Sequence, residues 1–219
     1  MLSVICLVPT LWLARNSPKF SFSLFALILL LALYPWIQAV VVARALPSGL
    51  ERAFSRVAIS RSPLLLGERE FEVEVVTEEY ADRLAWDRYR PRGRQAKACV
   101  LFIHGGSWRN GTRQDYPLLL SYLASRGYEV VSLTYRLAPE HPYPAAVQDV
   151  QWALELLSGQ GRTVFLMGRS SGAHLALLSA YQNSDKVAGV IAFYPPVDMN
   201  WSYQHPSNPA VLDSREVLT

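Results

Sequence analysis

Ser170 stands in Gly168-Arg169-Ser170-Ser171-Gly172, directly after the apolar run Val164–Met167 and ahead of the helix-like stretch Ala173–Gln182. A serine hydroxyl is a weak nucleophile until it is placed and deprotonated. A tight turn from strand to helix solves the placement: flanking glycines let strand and helix pack close, and the hydroxyl stands clear of the sheet edge. The N–H of Ser171, at the helix start, then points to where a tetrahedral oxyanion would form. A pentapeptide of this pattern arises by chance in a chain of this length about one time in fifteen. Its strand and helix flanks remove most accidental matches.

A second element follows the apolar run Ala98–Ile103: His104-Gly105-Gly106-Ser107-Trp108. Its glycine pair permits a loop whose N–H groups, those of Gly105 and Gly106, turn toward the serine as further oxyanion donors. Each such donor is worth about 3–4 kcal/mol of transition-state stabilisation. The alternative for this stretch is a plain glycine turn closing a strand.

A base and an acid are needed to complete the chemistry. Downstream of Ser170 lie His174 and His205, with Asp185, Asp198 and Asp213. His174 comes four residues on, along the helix, where a hydrogen bond beneath the site is its expected role. His205 belongs to the polar, proline-bounded stretch Trp201–Ser207 and reads as an ordinary loop residue, with the base as its other reading; the base is otherwise expected in a histidine not present here. Asp198 follows the strand-like Val187–Tyr194 and is the candidate acid, with turn capping as its other reading.

The elements that must hold these residues are legible as a change of period. Phe71–Val75 alternates as a half-buried strand and Leu84–Tyr89 reads as its neighbour. Ala98–Ile103 is continuously apolar, as in a strand buried on both faces of a parallel sheet. Helices over Tyr116–Ser125, Ala145–Leu157 and Ala173–Gln182 then alternate with strands over Glu129–Leu133, Thr163–Met167 and Val187–Tyr194. A hairpin followed by βαβαβαβ argues a mixed, mainly parallel sheet with flanking helices.

The front of the chain is different. Hydrophobic residues make up 51% of the sequence, and the excess is concentrated before residue 51, where no Asp or Glu occurs. Ser21–Val42 is 22 residues without a charge, between Lys19 and Arg44. That length suffices to cross a hydrocarbon core of roughly 30 Å as a helix. The expected organisation is therefore a membrane anchor over 1–45, with one transmembrane helix over about 21–42. Pairing with the shorter apolar run 2–14 as a hairpin is the alternative. Residues 46–66, a short linker or an amphipathic helix, lead to an α/β domain over 67–219. A cleaved signal peptide ending near Ala43-Arg44-Ala45 is the competing reading, but the apolar run exceeds the usual length of such a core.

Composition excludes other classes. Net charge is only +3 and the basic residues are scattered, which gives no nucleic-acid footprint. Four histidines and two cysteines, Cys6 and Cys99, have no ligand-like spacing, so neither a metal site nor a disulfide framework is expected. No cofactor is implied.

A third stretch, Tyr135-Arg136-Leu137-Ala138-Pro139-Glu140-His141-Pro142-Tyr143-Pro144, follows the strand Glu129–Leu133. In this order the three stretches resemble the hormone-sensitive-lipase-like and feruloyl-esterase-like carboxylesterases of the α/β-hydrolase superfamily. The resemblance covers about residues 71–199. It implies an α/β-hydrolase fold, Ser170 as nucleophile, and Gly105, Gly106 and Ser171 as oxyanion donors. The Tyr135–Pro144 loop matches a structural support in such enzymes, which makes Glu140 and His141 packing and hydrogen-bonding residues. The implied activity is hydrolysis of small-molecule or lipid esters through an acyl-serine. In such folds the acid and histidine follow the serine on loops after the last strands. Only the sixth strand of the usual eight is reached here, so the domain is expected to be incomplete at its C-terminus. The other readings are a catalytically inactive or truncated protein of the same fold, and a peptidase or acyltransferase built on it. Oligomeric state and membrane orientation are not legible.

Overall fold

The computed structural model describes residues 18–53 and 71–204, and within the first helix side chains are described for 26–42 and 44. The chain divides into two units, Met1–Ser62 and Pro63–Thr219. In the first unit, helix α1 runs over Pro18–Ala53, 36 residues that include Pro35 and Pro47. It continues past the boundary expected at 45, so residues 46–53 are helix where the sequence allows a linker or an amphipathic helix. Among the described residues, no helix is long and apolar enough to cross a membrane. The expected hairpin arm 2–14 and the remaining linker residues 54–66 lie outside the described residues.

The second unit opens with a hairpin, β1 (Val73–Ala81) and β2 (Leu84–Pro91). Then follow β3 (Cys99–Ile103), α2 (Pro117–Ser125), β4 (Glu129–Leu133) and α3 (Ala145–Ser158). The last described elements are β5 (Val164–Arg169), α4 (Ser171–Gln182), β6 (Val187–Phe193) and the short α5 (Met199–Gln204). The six strands lie in the order β1-β2-β4-β3-β5-β6. β2 is antiparallel to both β1 and β4, whereas β4, β3, β5 and β6 are parallel neighbours.

Strand alternation divides the core in two. Leu101, Ile103, Val131, Leu133 and Leu166 face one side, against Val150, Ala153, Leu154 and Leu157 of α3 and Leu175 and Ala176 of α4. Val100, Phe102, Val130 and Met167 face the other side, against Leu120 and Ala124 of α2. All of β3 and β4 is buried. That is why β3 reads as an unbroken apolar run rather than as an alternating one, whereas the equally buried β4 also holds Glu129 and Ser132. The parallel strands β3 and β5 finish at the same edge, Ile103 pairing with Gly168. The loop after β3 and the turn after β5 are therefore neighbours in space.

Candidate active site

At that edge Ser170 is the residue before α4 and adopts φ 53°, ψ −123°. A non-glycine residue in this region is strained, and such strain collects at functional sites. The turn is held at both ends. The Ser170 N–H donates to Phe193 O at 2.9 Å, and the N–H groups of Ala173 and His174 donate to Ser170 O at 3.0 and 3.1 Å. The serine thus caps the helix with its carbonyl and leaves the hydroxyl at the helix N-terminus, where the macrodipole favours negative charge.

Two glycines set how closely the pieces approach. A Cβ on Gly172 would run into the carbonyl oxygens of Ile103 and His104, so the first turn of α4 packs directly on the end of β3. A Cβ on Gly105 would stand 2.8 Å from Arg169 O and 3.4 Å from Ser170 Cβ, which puts the loop backbone against the serine turn. Among the described residues the N–H groups of Gly105, Gly106 and Ser171 make no hydrogen bond, in contrast to those of Arg109 and Asn110, which donate to Gly106 O. Three unpaired donors therefore stand around one serine.

The loop is supported from beneath. His104 is fully buried, stacked on Tyr135 with ring centroids 4.3 Å apart, and its Nδ1 lies 2.8 Å from Gly105 O. Tyr135 donates its hydroxyl to His104 O at 3.0 Å, and Ala138 N–H donates to Trp108 O at 2.9 Å. Burial pushes the Tyr135 hydroxyl far above its ordinary pKa, which keeps it a neutral donor. Arg136 is fixed in turn by Asp149 of α3, which accepts its backbone N–H at 2.8 Å and its guanidinium at 2.7 Å. Glu140 and His141 lie farther along this supporting loop, both away from the serine cleft.

Ser170, Gly105 and Gly106 border a cleft of about 360 Å³, together with Asp115, Tyr116, Arg169 and Tyr194. No histidine borders it among the described residues. His141 and His174 instead line a separate, mostly apolar cavity of about 260 Å³ with Trp108, Leu175, Leu178 and Met199. His174 meets Trp108 edge-on at 5.4 Å, and burial lowers its pKa. Asp198 is exposed and accepts the Trp201 N–H at 2.7 Å, the geometry of a cap on α5. His205 lies outside the described residues. Sequence reasoning brings out the serine and the glycines but misses Arg169, Tyr116 and Tyr194, which come together only through the sheet order.

A mixed sheet covered by helices on both faces, with a strained serine between a buried strand and a helix, defines the α/β-hydrolase class of fold. The chain belongs to the alpha/beta hydrolase fold family, whose profile matches residues 100–219. It is 37% identical over 108 residues to the carboxylic ester hydrolase LipN of Mycobacterium tuberculosis, covering 45% of this chain and 28% of that protein. It is 34% identical over 121 residues to mouse (Mus musculus) hormone-sensitive lipase, covering 48% of this chain and 16% of the other. Among solved structures, a hyperthermophilic esterase from the archaeon Pyrobaculum calidifontis superposes with a TM-score of 0.54 at 26% identity, over 81% of this chain and 59% of that one. The matches thus span less than two thirds of each of these relatives.

Proposed function

We propose that the chain is a carboxylic-ester hydrolase in which Ser170 is the acyl-accepting nucleophile. The observation that carries this reading is the junction of the two loops: Ser170, strained at φ 53°, lies against the Gly105 backbone with unpaired N–H donors beside it. In the mechanism, Ser170 Oγ attacks the ester carbonyl and gives its proton to a base. The carbonyl oxygen takes up negative charge facing the N–H groups of Gly105, Gly106 and Ser171. Collapse expels the alcohol, which takes the proton, and water then releases the acid from acyl-Ser170 by the same steps. The relatives' names as esterases and lipases support an ester as the substrate.

Of the four histidines, His104, His141 and His174 are placed away from the serine cleft. His205 is the candidate base within this sequence, a histidine outside it being the other reading, and Asp198 is kept as the candidate acid. The absence of a described histidine at the cleft also favours a second reading, a catalytically inactive protein of this fold. Labelling of the full chain with a fluorophosphonate probe separates the two. Labelling that vanishes in Ser170→Ala and drops at least about a hundredfold in rate in His205→Ala is expected, because triad members act as a unit. A folded chain that takes up no probe overturns the esterase reading for these 219 residues by themselves.

We also propose that residues 1–45 anchor the protein in a membrane. Support comes from the 36-residue length of α1 and from the charge-free stretch Ser21–Val42 within it. Its described side chains over 26–42 are apolar apart from Gln38 and exposed around the helix, Leu30 at 62% and Trp36 at 74%. A helix apolar on all sides needs an apolar surrounding.

A further inference from the structure

We propose that Arg169 makes the cleft at Ser170 selective for esters that carry an anionic group, a carboxylate or a phosphate, beside the scissile bond. The proposal rests on the reading of Ser170 as the nucleophile. Arg169 is the last residue of β5, is exposed, and borders the same cleft as the serine that follows it.

Its guanidinium is held by two rings from separate elements. The guanidinium carbon lies 4.6 Å from the ring centroid of Tyr116 and 5.3 Å from that of Tyr194. Both tyrosines border the cleft, and both have left-handed backbone, φ 60° at Tyr116 and 39° at Tyr194. With Ser107 and Ser170 they make four non-glycine residues of positive φ around one cleft, a concentration found where geometry serves binding or chemistry. Ring faces bind a guanidinium through its charge and leave its N–H edge open.

That edge is unused. Among the described residues Arg169 donates no hydrogen bond and meets no carboxylate, whereas Arg88, Arg113 and Arg136 pair with Glu129, Asp87 and Asp149. A planar fork of donors fixed in place and lacking an acceptor fits a carboxylate or phosphate bidentately. The carboxylate that also borders the cleft, Asp115, faces the Thr112 N–H and hydroxyl at 3.4 and 3.3 Å. Its charge opposes an anion, so the preference depends on direct contact with the guanidinium edge and not on the net field of the cleft. A cleft of about 360 Å³ has room for a small ester with its charged group.

The test is calorimetric binding to the full chain carrying Ser170→Ala, which prevents turnover. One arm compares monoethyl succinate with diethyl succinate; the other compares 2-acetoxyethyl phosphate with 2-acetoxyethanol. In at least one arm the anionic ester binds about tenfold tighter than its neutral partner, as one charge-assisted fork contact provides. The arm that gains identifies carboxylate or phosphate as the preferred group. Arg169→Gln removes the preference, Arg169→Lys retains part of it, and an unchanged melting temperature in the lysine variant separates charge from packing. Equal affinities in both arms, or a preference that survives in Arg169→Gln, overturn the proposal. Fluorophosphonate labelling without charge preference defeats the Arg169 site and leaves the esterase reading standing. Charge preference without labelling leaves an anion site at Arg169 and defeats the esterase reading.

Discussion

His104 precedes the two loop glycines, and its ring holds the loop rather than facing the cleft. It is fully buried between Tyr135 and the Gly105 carbonyl, and that burial lowers its pKa below the ordinary histidine value. The Gly105 carbonyl and the charge of Asp115 act in the opposite direction without overcoming it. Burial lowers the pKa of His174 as well. A histidine of depressed pKa binds protons more readily in the unfolded chain. Its contribution is therefore intact above the ordinary value of 6.5 and is lost as pH falls from there through the folded-state value. The thermal midpoint of the full chain is expected to drop between pH 7.5 and pH 5, and His104→Gln should flatten that drop. A profile of equal slope in wild type and variant would remove His104 as its source. At this scale the glycines and Ser170 were legible because a tight turn admits few residue types. Arg169 was not, because its partners Tyr116 and Tyr194 reach it only after β6 and α2 have taken their places beside β5 and β3.

Between elements, the best-defined joint is Arg136 to Asp149, which ties the loop after β4 to the first half of α3. Asp149 is buried to 5% exposure and takes both the backbone N–H and the guanidinium of Arg136. Asp149→Ala leaves that N–H without its acceptor, while the guanidinium, more than a third exposed, regains water. The expected loss is about 2–3 kcal/mol of stability, as for a hydrogen bond to a charged group, read from urea unfolding of the full chain. Asp149→Asn should lose less, since one carbonyl oxygen remains. A loss within about 0.5 kcal/mol of zero, the range of ordinary surface substitutions, would mean that packing alone holds the loop. Element positions were well marked in the sequence: β4 is Glu129–Leu133 as expected, and α3 ends one residue past the expected Leu157. The sheet order was not marked. Nothing local in β2 says that it pairs with β4 as well as β1, because such pairing is decided by which faces can be buried together. Over residues 46–53 the sequence allows a linker or an amphipathic helix, and α1 continues through Pro47 and Gly49.

For the whole molecule, the two units separate two questions, and the hydrolase unit has its own polarity. β1 begins at Val73 beside Pro91, and β3, β4 and β5 begin at that same edge, whereas Ser170 lies where β3 and β5 end. The first described strand of the hydrolase unit therefore begins at the edge opposite the serine cleft. The anchor itself is tested by alkaline carbonate extraction of membranes carrying the full chain. The wild-type chain is expected to stay in the pellet. Leu31→Arg with Leu33→Arg, in the middle of the charge-free stretch, should release it, since arginine at a helix centre costs about 2.5–3.5 kcal/mol each on insertion scales. The same double variant should keep its fluorophosphonate labelling once solubilised, because neither position belongs to the hydrolase unit. Wild-type protein recovered in the supernatant would overturn the anchor and leave α1 as a helix that another apolar surface must cover.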